Sequence, residues 1–390
     1  MLKNLKFHVS NSIMTLFLHM LKRNFQGQNL TLKTDRKRLL VTTVLKEIEL
    51  LEKLSNAFGP SGNEEDVAEI LKTELEEYAD ETRVDKLGNI FFYHNGKEGY
   101  PKVMLSAHMD EVGFIVTFIE ENGFLRFETL GGITNNILLG QRVLLKGEKG
   151  YLKGIIGTKP PHIMTLEEQN KVIPREDLFI DIGADNFNQA QEKGAEVGTL
   201  GVFDVEFTDI GDGYFRGKAF DDRAGCTVLA EAFKSMKDSP YNIVAVGSVQ
   251  EELGLRGART AAWQVDPDYG LALEGTFVAD VPNTRPDRVS SKIKGGPVIT
   301  ILDKTVFTHP VILKTLIKVG REEAIPFQFK KVPMGGTDAG AIHLTKAGVP
   351  SGTVAVPCRY IHGPASIMHI EDLRNAIKLV TEFIKAISVK

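Results

Sequence analysis

Two adjacent carboxylates, Glu251 and Glu252, follow the apolar run Ile243-Val244-Ala245-Val246 within Ser248-Val249-Gln250-Glu251-Glu252-Leu253-Gly254. A Val/Ile-rich run that gives way to polar residues and a glycine reads as a buried strand of an α/β sheet. Ligands of open α/β sheets bind just beyond the carboxyl ends of such strands. Neighbouring side chains on an extended backbone point to opposite faces, so one carboxylate can hold a metal while the other reaches toward substrate. A Glu-Glu pair alone is most often a solvated surface feature. Its weight comes from polar groups at matching places. His108 and Asp110 follow the run 103–107, Glu274 follows 270–273, His362 comes shortly after 353–356, and Asp221-Asp222 opens a helical segment.

Imidazoles and carboxylates suit Zn, Co or Mn and disfavour copper or iron–sulfur chemistry. Two histidines serve two ions well only if a carboxylate bridges them. The pattern therefore predicts a pair of divalent ions, Zn or Co with Mn as an option, about 3.5–4 Å apart, as in metal-assisted hydrolysis. Asp221 is expected to bridge, His108 and Glu274 to hold one ion, and Glu252 and His362 the other. Asp110, expected on the same side of the strand as His108, can accept that ring's free N–H and raise its basicity. Glu251 lies beside a ligand without sharing its direction, so it is the candidate general base toward a metal-activated water and the acid toward the leaving amine. Asp222 is expected to fix the backbone beside Asp221.

The chain must supply elements that bring these residues together. At 390 residues it exceeds the roughly 250–300 at which one core stops growing, which favours two globular parts. A formal net charge of −4 offers no basic footprint for nucleic acid. Cys226 and Cys358 show no CxxC spacing, which points away from a disulfide scaffold and toward a reducing, cytoplasmic setting. Residues 1–40 carry eight Lys/Arg against one acid, Asp35, and their apolar patch at 13–18 is too short to span a bilayer. A disordered basic extension is expected there, and no membrane association.

Helical spacing begins near Thr43. Val44, Leu45, Ile48, Leu51 and Leu54 form one stripe that Gly59-Pro60-Ser61-Gly62 stops, and Val67, Ile70, Leu71 and Leu75 form a second, with Glu64, Glu65, Glu74 and Glu76 outside. Between about 112 and 212 the chain switches to short apolar segments separated by glycines, which predicts a small β-barrel or β-sandwich inserted into an α/β domain made of 41–111 and 213–390. After the insert, Val228, Leu229, Ala232, Phe233 and Met236 form a helical stripe, and strands alternate with helices to the end. His309, His343 and His369 are expected to cap or pack, and Gly335-Gly336-Thr337-Asp338, which lacks the P-loop Lys-Ser/Thr ending, to shape a pocket or tight turn.

Five blocks together carry a resemblance. Ser106-Ala107-His108-Met109-Asp110-Glu111-Val112-Gly113, Gly217-Lys218-Ala219-Phe220-Asp221-Asp222-Arg223, Gln250-Glu251-Glu252-Leu253-Gly254-Leu255-Arg256-Gly257, Met334-Gly335-Gly336-Thr337-Asp338-Ala339 and Arg359-Tyr360-Ile361-His362 resemble the signatures of the M42 metallo-aminopeptidases. The resemblance runs in order from about Thr43 to the C-terminus. It implies the same assignments, with Asp221 bridging, Glu251 catalytic, and His108, Glu252, Glu274 and His362 as ligands; Glu274 stands where the family often has Asp. It further implies a three-layer phosphorylase/hydrolase-like α/β domain, an insert that serves dimerisation, a tetrahedral dodecamer built from dimers, and peptide substrates cut at a free N-terminus. The basic extension has no counterpart in the family pattern. An acidic preference would need a basic group in the specificity pocket, and Arg285, Lys292, Lys294, Arg321 and Lys330 are candidates; glutamyl or broad neutral specificity is expected. The competing readings are a two-metal deacylase or carboxypeptidase-like hydrolase, and a non-catalytic scaffold that keeps only the fold.

Overall fold

The computed structural model describes residues 46–387, so the basic segment 1–40 and the expectations attached to it lie outside the described residues. Helix α1, running through 46–56, buries Ile48, Leu50, Leu51 and Leu54. Helix α2 (Glu65–Leu75) buries Val67, Leu71 and Leu75, four residues apart on one face. Glu64 departs from expectation. Expected outside, it is 6% exposed, because its carboxylate is used by backbone N–H groups rather than by water.

Strands β1 (Glu81–Val84), β2 (Ile90–His94) and β3 (Lys102–His108) come next, and β3 delivers the chain into a closed barrel. The barrel strands are β4 (Gly113–Ile119), β5 (Leu125–Leu130), β6 (Arg142–Gly147), β7 (Gly150–Gly157), β8 (Phe179–Asp181) and β9 (Leu200–Phe203), closed in the order β4-β5-β8-β7-β6-β9. Alternate residues fill its interior, with Phe114 set edge-on against Phe127 and Phe203 at 5.5 and 5.0 Å. Strands β10 (Thr208–Gly211) and β11 (Tyr214–Gly217) leave the barrel and form a three-stranded antiparallel sheet with a strand from the far end of the chain.

The rest rebuilds the α/β layer. Helix α3 (Phe220–Lys234), β12 (Asn242–Ser248), α4 (Arg256–Val265), β13 (Tyr269–Phe277), β14 (Val298–Thr300), α5 (Pro310–Glu322), β15 (Gln328–Phe329), β16 (Ser351–Cys358), β17 (Ser366–His369) and α6 (Ile370–Ala386) follow in order. Strand β17 completes the small sheet beside β11. The main sheet has eight strands in the order β1-β2-β12-β3-β13-β16-β14-β15, with β12, β3, β13 and β16 parallel at its centre. Those strands read as continuous apolar runs because both faces are covered. In β12, Ile243 and Ala245 join the core under α2, α3 and α6, while Val244 and Val246 join the core under α4. The architecture is three-layer α/β/α with a β-barrel alongside, as expected. Among the described residues, no helix is long and apolar enough to cross a membrane.

Candidate metal centre

The four central strands run parallel, so their carboxyl ends share one edge of the sheet, and the polar residues found in the sequence gather there. His108 is the last residue of β3, Glu274 lies within β13, Glu251 and Glu252 follow β12, and His362 follows β16. Asp221 comes from the start of α3, where the expected helix has not yet begun: Asp221 and Asp222 hold non-helical backbone angles, and the peptide between them is cis. This bend presses against β13 at Gly275, where a Cβ would stand 2.8 Å from Asp221 Cα, so only glycine admits the approach.

The geometry around Asp221 is two-sided. Its Oδ1 lies 3.3 Å from His108 Nε2, and its Oδ2 lies 3.5 Å from His362 Nε2. Glu274 Oε2 is 3.5 Å from His108 Nε2, and Glu252 Oε1 is 3.3 Å from His362 Nε2. Ligand atoms about 2.0–2.1 Å from a tetrahedral ion stand about 3.3–3.4 Å apart, so these four histidine–carboxylate distances match the spacing around such an ion. Each trio, His108 with Asp221 and Glu274 and Asp221 with Glu252 and His362, also keeps its ligand atoms within 4.8 Å of one another. Glu251 Oε2 lies 3.9 Å from His108 Nε2.

The electrostatics call for cations. Burial pushes the Glu251 and Glu274 carboxyls well above the usual range, and neighbouring carboxylates add to the effect. Burial likewise lifts Glu252 to about 7, although His362 pulls it down. Burial opposes ionisation of Asp221 too, but His108 and His362 outweigh it and hold that carboxyl low. Burial would lower His362, yet Asp221 and Glu252 raise it to about 9, and Asp110 and Asp221 raise His108 in the same way. Carboxylates packed this densely ionise together only when positive charge joins them.

Two expectations need correction. Glu251 and Glu252 do not sit on extended backbone: Gln250 adopts φ +53° and Gly254 φ +113°, and Gly254 N–H donates to Glu251 O at 2.8 Å to close a turn. Asp110 is beyond the end of β3 rather than on it. The carbonyl of Asp110 is the nearer acceptor for His108 Nδ1, at 3.1 Å, with its Oδ1 at 3.4 Å. The Asp110 carboxylate is occupied by three donors instead: Glu251 N–H to Oδ1 at 2.9 Å, Glu252 N–H to Oδ2 at 3.1 Å, and Ser61 Oγ–H to Oδ2 at 2.6 Å. Asp222 fixes backbone as expected, accepting from His108 N–H at 3.0 Å and Gly225 N–H at 2.9 Å.

Around the cluster, residues assigned no individual role from sequence, Asp338, Arg223, Glu111 and Lys218, make the supporting bonds. Asp338 accepts from Ser106 within β3 and from Ser248 at the end of β12, and its own N–H donates to Glu274 Oε1 at 3.0 Å. Arg223 binds the Met109 and Leu54 carbonyls and shares Glu111 with the buried Lys218. His309 and His369 cap α5 and α6, and His343 bonds to the Ala339 carbonyl.

A cavity of about 540 Å³ opens over the cluster, bounded by His108, Asp221, Glu251, Glu252, Glu274 and His362 on one side and by Phe277, Lys330, Met334, Gly335, Gly336 and Thr337 on the other. Of the five basic candidates, Lys330 lines it; Arg285 is exposed and paired with Asp287 at 2.6 Å, and Lys292, Lys294 and Arg321 do not line it.

Comparison with known proteins gives the chain a family. The chain is 33% identical over 334 residues to a lysyl aminopeptidase of Pyrococcus furiosus, covering 85% of this chain and 94% of that one. Its fold matches a TET aminopeptidase of the marine sediment archaeon Thaumarchaeota archaeon SCGC AB-539-E09 with a TM-score of 0.86 and 42% identity, covering 89% and 98% of the two chains. It also matches the TET1 peptidase of Pyrococcus horikoshii, which can assemble into a tetrahedron or a large octahedral shell, with a TM-score of 0.77 and 33% identity over 86% and 98%. The family model for M42 glutamyl aminopeptidases matches residues 88–379, so the chain belongs to the M42 family and is an aminopeptidase, a hydrolase acting on peptides.

Proposed function

We propose that this aminopeptidase works with two divalent ions, held by His108, Asp221 and Glu274 on one side and by Asp221, Glu252 and His362 on the other. The observation that carries the reading is Asp221, whose two oxygens face different imidazoles at 3.3 and 3.5 Å. Such ions, Zn or Co with Mn as an option, would when bound supply Lewis acidity and make water a better nucleophile at neutral pH. Glu251, beside the cluster, would take a proton from the attacking water and return one to the leaving amine. Asp110 holds Glu251 and Glu252 by their N–H groups and orients His108.

The substrate is a peptide with a free N-terminus, and Lys330 favours an acidic side chain there. It is buried, stands over the Phe277 ring at 5.5 Å, and shares the cavity wall with Thr337. We further propose that the barrel insert, with Phe118, Tyr151 and Ile155 exposed on it, serves dimerisation, that dimers assemble into a tetrahedral dodecamer, and that the enzyme is cytoplasmic. The test is a panel of aminoacyl p-nitroanilides with metal analysis by mass spectrometry. Two ions per subunit and hydrolysis of Glu-p-nitroanilide are expected. A folded, metal-free, inactive protein removes the two-ion reading, and cleavage of Leu-p-nitroanilide alone removes the acidic preference. Glu251→Gln should lower kcat by about 10²–10⁴-fold with both ions retained.

A further inference from the structure

The turn that carries Glu251 and Glu252 has its carbonyls bonded by local backbone N–H groups, but its own N–H groups are taken by side chains from distant segments. Four consecutive N–H groups leave β12 without strand partners. Val249 donates to Asn89 Oδ1 at 3.0 Å, Gln250 to Glu64 Oε1 at 3.1 Å, and Glu251 and Glu252 to the two oxygens of Asp110. Successive N–H groups in such a turn form a concavity that favours negative charge, and here two buried carboxylates fill it. Gln250 lies where the turn is most constrained, a non-glycine residue in the left-handed region at φ +53°.

Glu64 bonds both sides of this junction. The same Oε1 that receives Gln250 N–H receives Gly62 N–H at 2.8 Å, and neighbouring Ser61 donates to Asp110. The short Pro60–Glu64 stretch thus reaches the catalytic turn twice, once through Asp110 and once directly. We propose that Glu64 is a positioning residue for Glu251, setting the Gln250 backbone from which the general base projects. This rests on the reading of Glu251 given above. Glu64 does not line the substrate cavity, so its effect belongs in the chemical step and not in substrate affinity.

Shortening the side chain separates positioning from folding. In Glu64→Asp the residue preceding α2 remains one that helices accept there, while the carboxylate is withdrawn from Gln250 by one methylene. In Glu64→Gln an acceptor oxygen of the same reach remains. The assembled, metal-loaded enzyme is assayed on its best aminoacyl p-nitroanilide, with circular dichroism and metal content measured on the same samples. For Glu64→Asp, kcat is expected to fall about 10–100-fold with KM within about twofold of wild type and both ions bound, and Glu64→Gln to restore most of the loss. Wild-type kcat in Glu64→Asp, a loss expressed in KM alone, or failure of Glu64→Gln to restore turnover would overturn the proposal. Glu251→Gln runs alongside: full activity there removes the general-base reading itself, whereas loss there with an unaffected Glu64→Asp removes only the role of Glu64.

Discussion

The two halves of the cluster are built in different ways. His108 and Glu274 stand on neighbouring parallel strands and are 2% and 4% exposed, locked by Asp222, Asp338 and Cys226 contacts within the sheet edge. His362 stands on a turn in which both it and Tyr360 adopt left-handed φ, and its side chain is 36% exposed. Its partner Glu252 also sits on a turn. A residue on a strand is placed by the sheet ladder, whereas a residue on a turn is placed by the turn's own backbone bonds and by the side chains that hold it. One half is therefore prearranged by the fold, the other by a few hydrogen bonds, and Asp221 belongs to both.

The largest effect should come from removing what the halves share. Asp221→Asn should lower turnover by at least about 10³-fold and reduce bound metal toward zero, measured by mass spectrometry of the purified protein. Retention of one full equivalent would show that one half stands without the bridge. A smaller and more informative contrast is His108→Ala against His362→Ala. Removing His362 should leave close to one ion per subunit with the fold intact, while weakening the other site about 100-fold or more. Removing His108 leaves a cavity beneath buried carboxylates and should lower thermal stability as well as metal content. If both variants lose metal and stability equally, the halves are equivalent and the comparison fails. Dialysis of the wild type against a chelator should likewise release one ion before the second, since access runs through the exposed imidazole; single-phase release would contradict it.

This division also explains what the sequence disclosed. Apolar runs at 103–107, 243–247 and 353–356 had to be central strands because both faces are buried, and the polar residues that end them were legible for that reason. His108, Asp221, Glu252, Glu274 and His362 were found through strand ends and residue type, which needs no coordinates. What periodicity could not register was the support. Glu64 looked like a helix surface residue because the acids after it are exposed, and Asn89, Ser61 and Asp338 are small polar residues in turns whose partners lie 49 to 232 positions away. The extended geometry expected for Glu251-Glu252 failed for the same reason: the acceptors that bend the turn come from elsewhere in the chain.

The smallest effect concerns stability alone and tests how the turn-borne half is supported. Burial raises the Glu64 carboxyl from an ordinary 4.5 to about 7, against the opposing pull of the Gly62 and Gln250 N–H groups. Between these values the folded protein keeps a proton that the unfolded chain releases, so stability falls as pH rises. The contribution is complete below about pH 4.5 and is lost as pH climbs through about 7, amounting to about 3 kcal/mol at most. Glu64→Gln cannot titrate, so its urea midpoint should decline less between pH 5 and pH 8 than that of the wild type. Parallel declines would mean that Glu64 is ionised throughout, and that the turn is supported by a charged carboxylate rather than by a neutral carboxyl.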